Sequence, residues 1–212
     1  MSIKDAADLA GTVRMKYPPN IRIANKTDVY AVCIDGFLLL YSKVFFLRNM
    51  KIGVIADTHD NLAAISKAVE FFNREGIELL IHAGDFVAPF TEKPFSALKI
   101  PLVGVFGNND GDKLLLREKY REKRVGEIYE DPYDFELNAK KIIVTHRPQI
   151  VDALAVSGSY DVVIYGHTHK AVIEEKGNAL VINPGECCGY LTGRKTVAIL
   201  DLEKGEAKVV EL

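Results

Sequence analysis

Short apolar runs that end in Asp, Asn or His constrain this chain more than any other feature. Ile52-Gly53-Val54-Ile55-Ala56 leads directly into Asp57-Thr58-His59. Gly84-Asp85, Gly107-Asn108-Asn109-Asp110, Thr145-His146 and Gly166-His167-Thr168-His169 each close a similar run. A short continuous apolar run reads as a strand buried on both faces, the kind that parallel sheets use. If each run is a strand, the clusters lie along one edge of the sheet, where open α/β folds place their sites. Taken singly, each cluster has an ordinary explanation. An Asp at a strand exit is often a helix cap, Gly-Asp is common turn chemistry, and His146 before Pro148 could be structural. Taken in order, with four of the five histidines inside the clusters, coincidence is a poor account.

From Met50 onward strands alternate with helices. The pattern predicts strands over 51–56, 79–82, 102–106, 142–145 and 162–165. Leu62, Ile65, Val69 and Phe72 recur at helical spacing, with Asn61 as N-cap and Gly76 past the end, so 61–74 is predicted helical. The charged stretch 113–122 and residues 150–156 are predicted helices, and Ile128 and Phe135 sit in predicted strands. After residue 165 the alternation gives way to mostly antiparallel strands near 172–174, 180–182, 196–200 and 208–210, with Gly177-Asn178 as a turn. The expected fold class is α/β, two mixed sheets packed together with helices outside.

Residues 1–49 read differently. Residues 4–16 are weakly helical, Pro18-Pro19-Asn20 breaks them, and a β-branched and aromatic stretch follows. No metal-binding or catalytic constellation precedes residue 50. The expected organisation is an N-terminal extension over 1–49 and a functional domain over 50–212. The extension reads either as an extra strand or two packed on the domain or, because Met50 directly precedes the first strand of that domain, as a mis-assigned start; intact mass from the native cell tests the latter.

With 27 Lys and Arg against 29 Asp and Glu, the formal charge is −2. That balance argues against bulk nucleic acid as partner, which demands phosphate neutralisation, but allows a small phosphorylated substrate. Cys33, Cys187 and Cys188 form no CxxC pair, and an odd count is a poor disulfide framework, so a reducing compartment is expected. The opening residues lack an apolar core of the secretory type. The apolar stretch 36–47 is interrupted by Lys43 and falls short of the about 20 residues a bilayer span needs. The expectation is a cytoplasmic protein with no membrane partner.

Asp57, His59, Asp85, Asn108, His146, His167 and His169 offer oxygen and imidazole donors and no thiolate, a set that suits Mn, Fe, Ni, Co or Zn. Seven donors exceed what one ion usually takes and suit two divalent ions sharing a carboxylate. Such a pair clamps both oxygens of a phosphoryl displacement, and a hydroxide between them becomes a nucleophile near neutral pH. His82 lies within a strand and reads as a packing histidine. Cys187 and Cys188 read as packing residues.

The five clusters, in this order, resemble the blocks of the calcineurin-like metallophosphoesterase superfamily, and the compact size with Asn183-Pro184-Gly185 resembles its small archaeal and bacterial phosphodiesterase branch. The resemblance covers residues 50–212. It implies a four-layer α/β/β/α sandwich. It places one metal on Asp57, His59, Asp85 and His169 and the other on Asp85, Asn108, His146 and His167, with Asp85 bridging and manganese as the leading ion. Asp85, His167 and Asn109 would then serve the reaction. Many relatives carry His at the position of Asn109, where it protonates or stabilises the leaving group. Asn can only donate a hydrogen bond, so diesters with activated leaving groups are the expected substrates. Arg147-Pro148 replaces the Gly that relatives often have, and Arg147 is either a surface charge or a fork for a phosphate oxygen.

The function implied is dinuclear-metal-dependent hydrolysis of a small phosphodiester. The alternative is a metal-binding protein-interaction scaffold on the same fold, like the retromer subunit of this superfamily. A nuclease is a third reading, weakened by the near-neutral charge. The β-rich end offers an edge at which a homo-oligomer could form.

Overall fold

A computed structural model of the protein describes residues 29–34, 37–42 and 50–212. The chain divides into two units, Met1–Arg48 and Asn49–Leu212. In the first, β1 (Val29–Ile34) and β2 (Phe37–Ser42) form an antiparallel hairpin with Val29 opposite Ser42. The helix expected over 4–16 lies outside the described residues.

The second unit is built on two sheets. β3 (Lys51–Ile55), β4 (Leu79–His82), β5 (Leu102–Val105) and β6 (Gly126–Tyr129) run parallel in that order. β12 (Thr196–Asp201) pairs antiparallel with the free side of β3, and β13 (Glu206–Glu211) closes that edge. The second sheet has the order β10-β11-β9-β8-β7. Its centre is parallel, with β8 (Lys140–Thr145), β9 (Val162–Tyr165) and β11 (Ala179–Pro184) side by side. Its edges, β7 (Tyr133–Leu137) and β10 (Ala171–Lys176), are antiparallel.

Side chains alternate between the faces of a strand, and the core divides accordingly. Ile52, Val54, Ile81 and Val105 of the first sheet meet Ile142, Val144, Val162 and Ile164 of the second. The opposite face of the first sheet, with Ile55, Leu80 and Leu102, is covered by Ile65, Val69 and Phe72 of α1 (Leu62–Glu75) and by Leu116 and Tyr120 of α3 (Lys113–Glu122). The far face of the second sheet, with Ile143, Val163 and Val181, is covered by Val151 and Ala155 of α4 (Val151–Val156). The result is the α/β/β/α layering, two mixed sheets flanked by helices. Each core side chain of this kind contributes about 1.5–3 kcal/mol by leaving water.

The helix signals hold at residue level. The Asn61 side chain accepts from the Ala64 amide at 3.1 Å, and Gly76 ends α1 in the left-handed region at φ 66°. Asp112 caps α3 by accepting from the Leu115 amide at 3.0 Å. The 3₁₀ turn Pro89–Thr91 and the one-turn α2 (Glu92–Phe95) went unanticipated, because neither is long enough to show a period. No helix among the described residues is long and apolar enough to cross a membrane.

Candidate metal centre

The parallel strands of both sheets present their exits to one region. Asp57 follows β3, Asp85 follows β4 and Asn108 follows β5; His146 follows β8, and His167 and His169 follow β9. The exits share an unusual backbone. Asp57, His59, Asp85, His167 and His169 all have positive φ, from 39° to 73°. Non-glycine residues seldom adopt that region, and each instance costs about 1–3 kcal/mol that the surrounding structure must over-determine.

Hydrogen bonds fix these turns. The amides of Thr58 and His59 both donate to the Asp85 carbonyl at 3.1 Å, and the Asp57 amide donates to the Gly84 carbonyl at 3.0 Å. Both Asp110 carboxylate oxygens are used, one by the Val87 amide at 2.7 Å and one by the Gly107 amide at 2.6 Å. His82 is fully buried and stacks on Phe86 at 3.5 Å. Burial lowers its basicity, so the ring is neutral. Its Nδ1 accepts from the Gly84 amide at 3.2 Å, which leaves Nε2 to donate to the Thr58 hydroxyl at 3.1 Å. The packing role expected for His82 therefore includes holding the turns beside Asp57 and Asp85.

All seven donors come together, in two groups that share Asp85. In the first, His59 Nε2 lies 3.5 Å from Asp85 Oδ2 and 3.8 Å from Asp57 Oδ1, and His169 Nε2 lies 3.4 Å from Asp57 Oδ1. In the second, His146 Nε2 lies 3.3 Å from Asp85 Oδ2 and 3.0 Å from Asn108 Oδ1, and His167 Nδ1 lies 2.7 Å from Asn108 Oδ1. On an extended segment the rings of His167 and His169 would point the same way. The segment instead turns through the left-handed region at both histidines, and this sends the two rings to different groups.

The electrostatics are those of a site short of positive charge. Burial pushes the Asp85 carboxyl up, but the His146 ring and the two Asn109 donors outweigh burial and hold it well below the usual carboxylate range. The Asn109 amide nitrogen donates to Asp85 Oδ1 at 2.8 Å and its side chain to Oδ2 at 2.7 Å, so Asn109 orients the shared carboxylate. The neighbouring Asp57 carboxylate raises the His59 imidazole against the opposing effect of burial, and Asp85 adds to it. His59 Nε2 is a buried nitrogen with no hydrogen-bond partner, aimed at two carboxylates. An orphaned buried nitrogen facing carboxylate oxygens fits a divalent cation. Asp57, His59 and Asp85 alone offer three ligand atoms within 4.8 Å of one another.

Three supporting residues carried no periodic signal in the sequence. Asp131 accepts from the Thr145 hydroxyl at 2.6 Å and the His146 amide at 3.1 Å, so it sets the His146 turn. Its other oxygen accepts from Arg147 Nε at 2.9 Å, and Arg147 is half exposed. Asp131 thus engages Nε and Nη2 of Arg147, whose side chain also lines the cleft beside His146 and His167. Asn183 donates to the Gly166 carbonyl at 3.2 Å and the Thr168 hydroxyl at 3.0 Å, which ties the Asn183-Pro184-Gly185 segment to the histidine turn. Glu186, fully buried, accepts from His169 Nδ1 at 2.7 Å. Its position directly after β11 is the same strand-exit signal as the others, but a lone Glu within Gly185-Glu186-Cys187 reads as part of a turn. Cys187 packs in the core, while Cys188 lies beside the site, its thiol within 4.8 Å of ring nitrogens of His59 and His169. A cleft of about 490 Å³ opens against Asn108, His146 and His167, with Lys113, Phe106 and Gln149 also lining it.

Residues 50–205 match the calcineurin-like phosphoesterase superfamily domain, and the chain belongs to that superfamily. Among its relatives is a phosphodiesterase of Methanocaldococcus jannaschii, 47% identical over 165 residues that cover 77% of this chain and 99% of the relative. A phosphodiesterase of Escherichia coli is 27% identical over 155 residues, 64% of this chain and 78% of the relative. A solved archaeal phosphodiesterase matches with a TM-score of 0.73 and 46% identity, covering 77% of this chain and all of the other, 100%. The vacuolar protein sorting 29 protein of Cryptosporidium parvum matches with a TM-score of 0.54 over 77% of this chain and 96% of its own. At 16% identity that likeness concerns the fold alone. The fold class and the family expected from the five clusters are both borne out.

Proposed function

We propose that this protein is a metal-dependent phosphodiesterase whose centre holds two divalent ions. The observation that carries the reading is the sharing of Asp85: one buried carboxylate oxygen lies 3.5 Å from His59 Nε2 and 3.3 Å from His146 Nε2, with donors completing a group on either side. Asp57, His59, Asp85 and His169 would hold one ion, and Asp85, Asn108, His146 and His167 the other. Such ions supply Lewis acidity and make hydroxide available near neutral pH. The residues do the rest. Asn109 keeps the shared carboxylate square to both groups. His167 lines the cleft and is exposed, so it would face an incoming phosphate. No His occupies the position of Asn109, whose side-chain nitrogen donates to Asp85, so the leaving group departs without a proton from that side.

The substrate class is a small phosphodiester with a good leaving group. Manganese is the proposed ion, with Ni, Fe, Co and Zn also compatible with these donors. The activity is assigned to residues 50–212, supported by the 165 matched residues that span 99% of the M. jannaschii phosphodiesterase. The proposed compartment is the cytoplasm.

The test is hydrolysis of bis(p-nitrophenyl) phosphate by chelator-treated protein, with and without Mn²⁺, beside His167→Ala. Activity should require the metal, vanish in the variant and exceed turnover of simple alkyl phosphate monoesters. Folded protein that binds Mn²⁺ and hydrolyses neither class would overturn the enzyme reading in favour of a scaffold.

A further inference from the structure

We propose that Glu186 is a positioning residue for the metal centre: it fixes His169 in the tautomer whose Nε2 lone pair faces Asp57. This rests on the reading of His169 as a metal ligand and adds a residue and a role to it.

The geometry determines the direction of each hydrogen bond. Glu186 Oε2 faces His169 Nδ1 at 2.7 Å, the Cys188 thiol at 3.2 Å and the Tyr190 amide at 3.1 Å. Oε1 faces the Leu191 amide at 3.0 Å, the Thr192 hydroxyl at 2.7 Å and the Thr192 amide. Backbone amides can only donate, so both oxygens act as acceptors, and three amides, the Thr192 hydroxyl and the Cys188 thiol converging on them hold the side chain as an ionised carboxylate. His169 Nδ1 must therefore carry the hydrogen. In a neutral ring that leaves Nε2 bare, and Nε2 points at Asp57 Oδ1, 3.4 Å away. Two acceptors facing each other at that distance is an arrangement a cation between them would satisfy. A metal-ligating histidine whose other nitrogen donates to a carboxylate is fixed in both tautomer and ring orientation.

Glu186 is itself well anchored. The amides of Cys187 and Cys188 donate to the carbonyls of Ala56 and Asp57 at 3.0 and 3.1 Å, and the Thr196 amide donates to the Glu186 carbonyl at 2.9 Å. The segment that carries Glu186 is thereby joined to the exit of β3, the strand that delivers Asp57. The same carboxylate gathers the amides of residues 190–192, although the Tyr190 and Leu191 side chains are exposed. One buried charge thus sets a histidine on one side and a surface loop on the other.

A glutamine cannot replace it. Its amide would place N–H groups either against His169 Nδ1, which inverts the tautomer, or against the donors of residues 190–192.

The experiment has two arms. Nitrogen-15 histidine spectra of the metal-free wild type at alkaline pH report the His169 tautomer directly. The Nδ1–H form is expected, and the Nε2–H form overturns the proposal whether or not any variant folds. Titration with Mn²⁺ then compares wild type with Glu186→Gln, whose affinity should fall about 10–100-fold. A wild type that does not bind Mn²⁺ would refute the metal-centre reading. A wild type that binds, beside a folded variant of equal affinity and unchanged tautomer, would refute only the role of Glu186.

Discussion

Glu186 should also make the metal-free protein acid-sensitive within a window set by its own carboxyl. Burial alone would raise that carboxyl, but the His169 ring, the Thr192 hydroxyl and the amides of Thr192 and Leu191 bring it from an ordinary 4.5 down to about 2. A carboxyl depressed in the folded state stabilises it fully above the unfolded value and loses that contribution as pH falls through the folded value. The window therefore runs from about pH 4.5 down to about pH 2. The difference between the two values corresponds to about 3 kcal/mol in full, with no exposed surface at Glu186 through which solvent could screen it. Between pH 5 and pH 2.5 most of that, about 2 kcal/mol, should disappear. The assay is urea unfolding of chelator-treated protein at those two pH values, wild type against Glu186→Gln. The variant starts less stable, because several donors lose an acceptor, but lacks this part of the acid loss. Parallel losses in the two proteins would refute the reasoning, since the carboxyl would then not be held low by the network around it.

Two further outcomes follow from the same geometry. A Cβ at Gly107 would stand against the Asp85 carboxylate and its backbone nitrogen, 2.8 Å from Cγ. Gly107→Ala should therefore displace the shared carboxylate, cost about 1–3 kcal/mol of stability and abolish tight Mn²⁺ binding; thermal unfolding and metal titration check it, and wild-type values in both would contradict it. Metal should also stabilise the fold, because Asp57 and Asp85 are buried close together beside a His59 Nε2 that makes no hydrogen bond. At free Mn²⁺ about 100 times Kd the gain is about 2.7 kcal/mol, a rise in Tm of about 5–10 °C for a domain of this size, reversed by chelation and absent in Asp85→Asn.

Much of this molecule is legible in its sequence, and the physical reasons differ by element. β4 and β9 fall where their apolar runs put them and α1 within a residue of where its helical spacing puts it, because burial on both sheet faces or one helix face enforces those patterns. The donors are legible because parallel topology sends every strand exit to one edge. What sequence reading misses is set by contacts distant along the chain. Asp131 acts on Thr145 and His146 across a strand pair, and Glu186 acts on His169 from the exit of β11. Each is a lone acid with no period to betray it. The left-handed turns at Asp57, Asp85, His167 and His169 are also hidden, since these residues avoid such φ values unless the surrounding hydrogen bonds impose them. The turn through His167-Thr168-His169 separates two rings that an extended segment would point the same way.

The central claim is that two ions share Asp85. Electron paramagnetic resonance of protein loaded with Mn²⁺ tests it most directly, because two manganese ions bridged through one carboxylate couple magnetically. The wild type should bind two ions per chain and give an exchange-coupled spectrum that collapses to an uncoupled signal in Asp85→Asn. A single six-line signal from the wild type, at saturation and with one ion per chain, would contradict it.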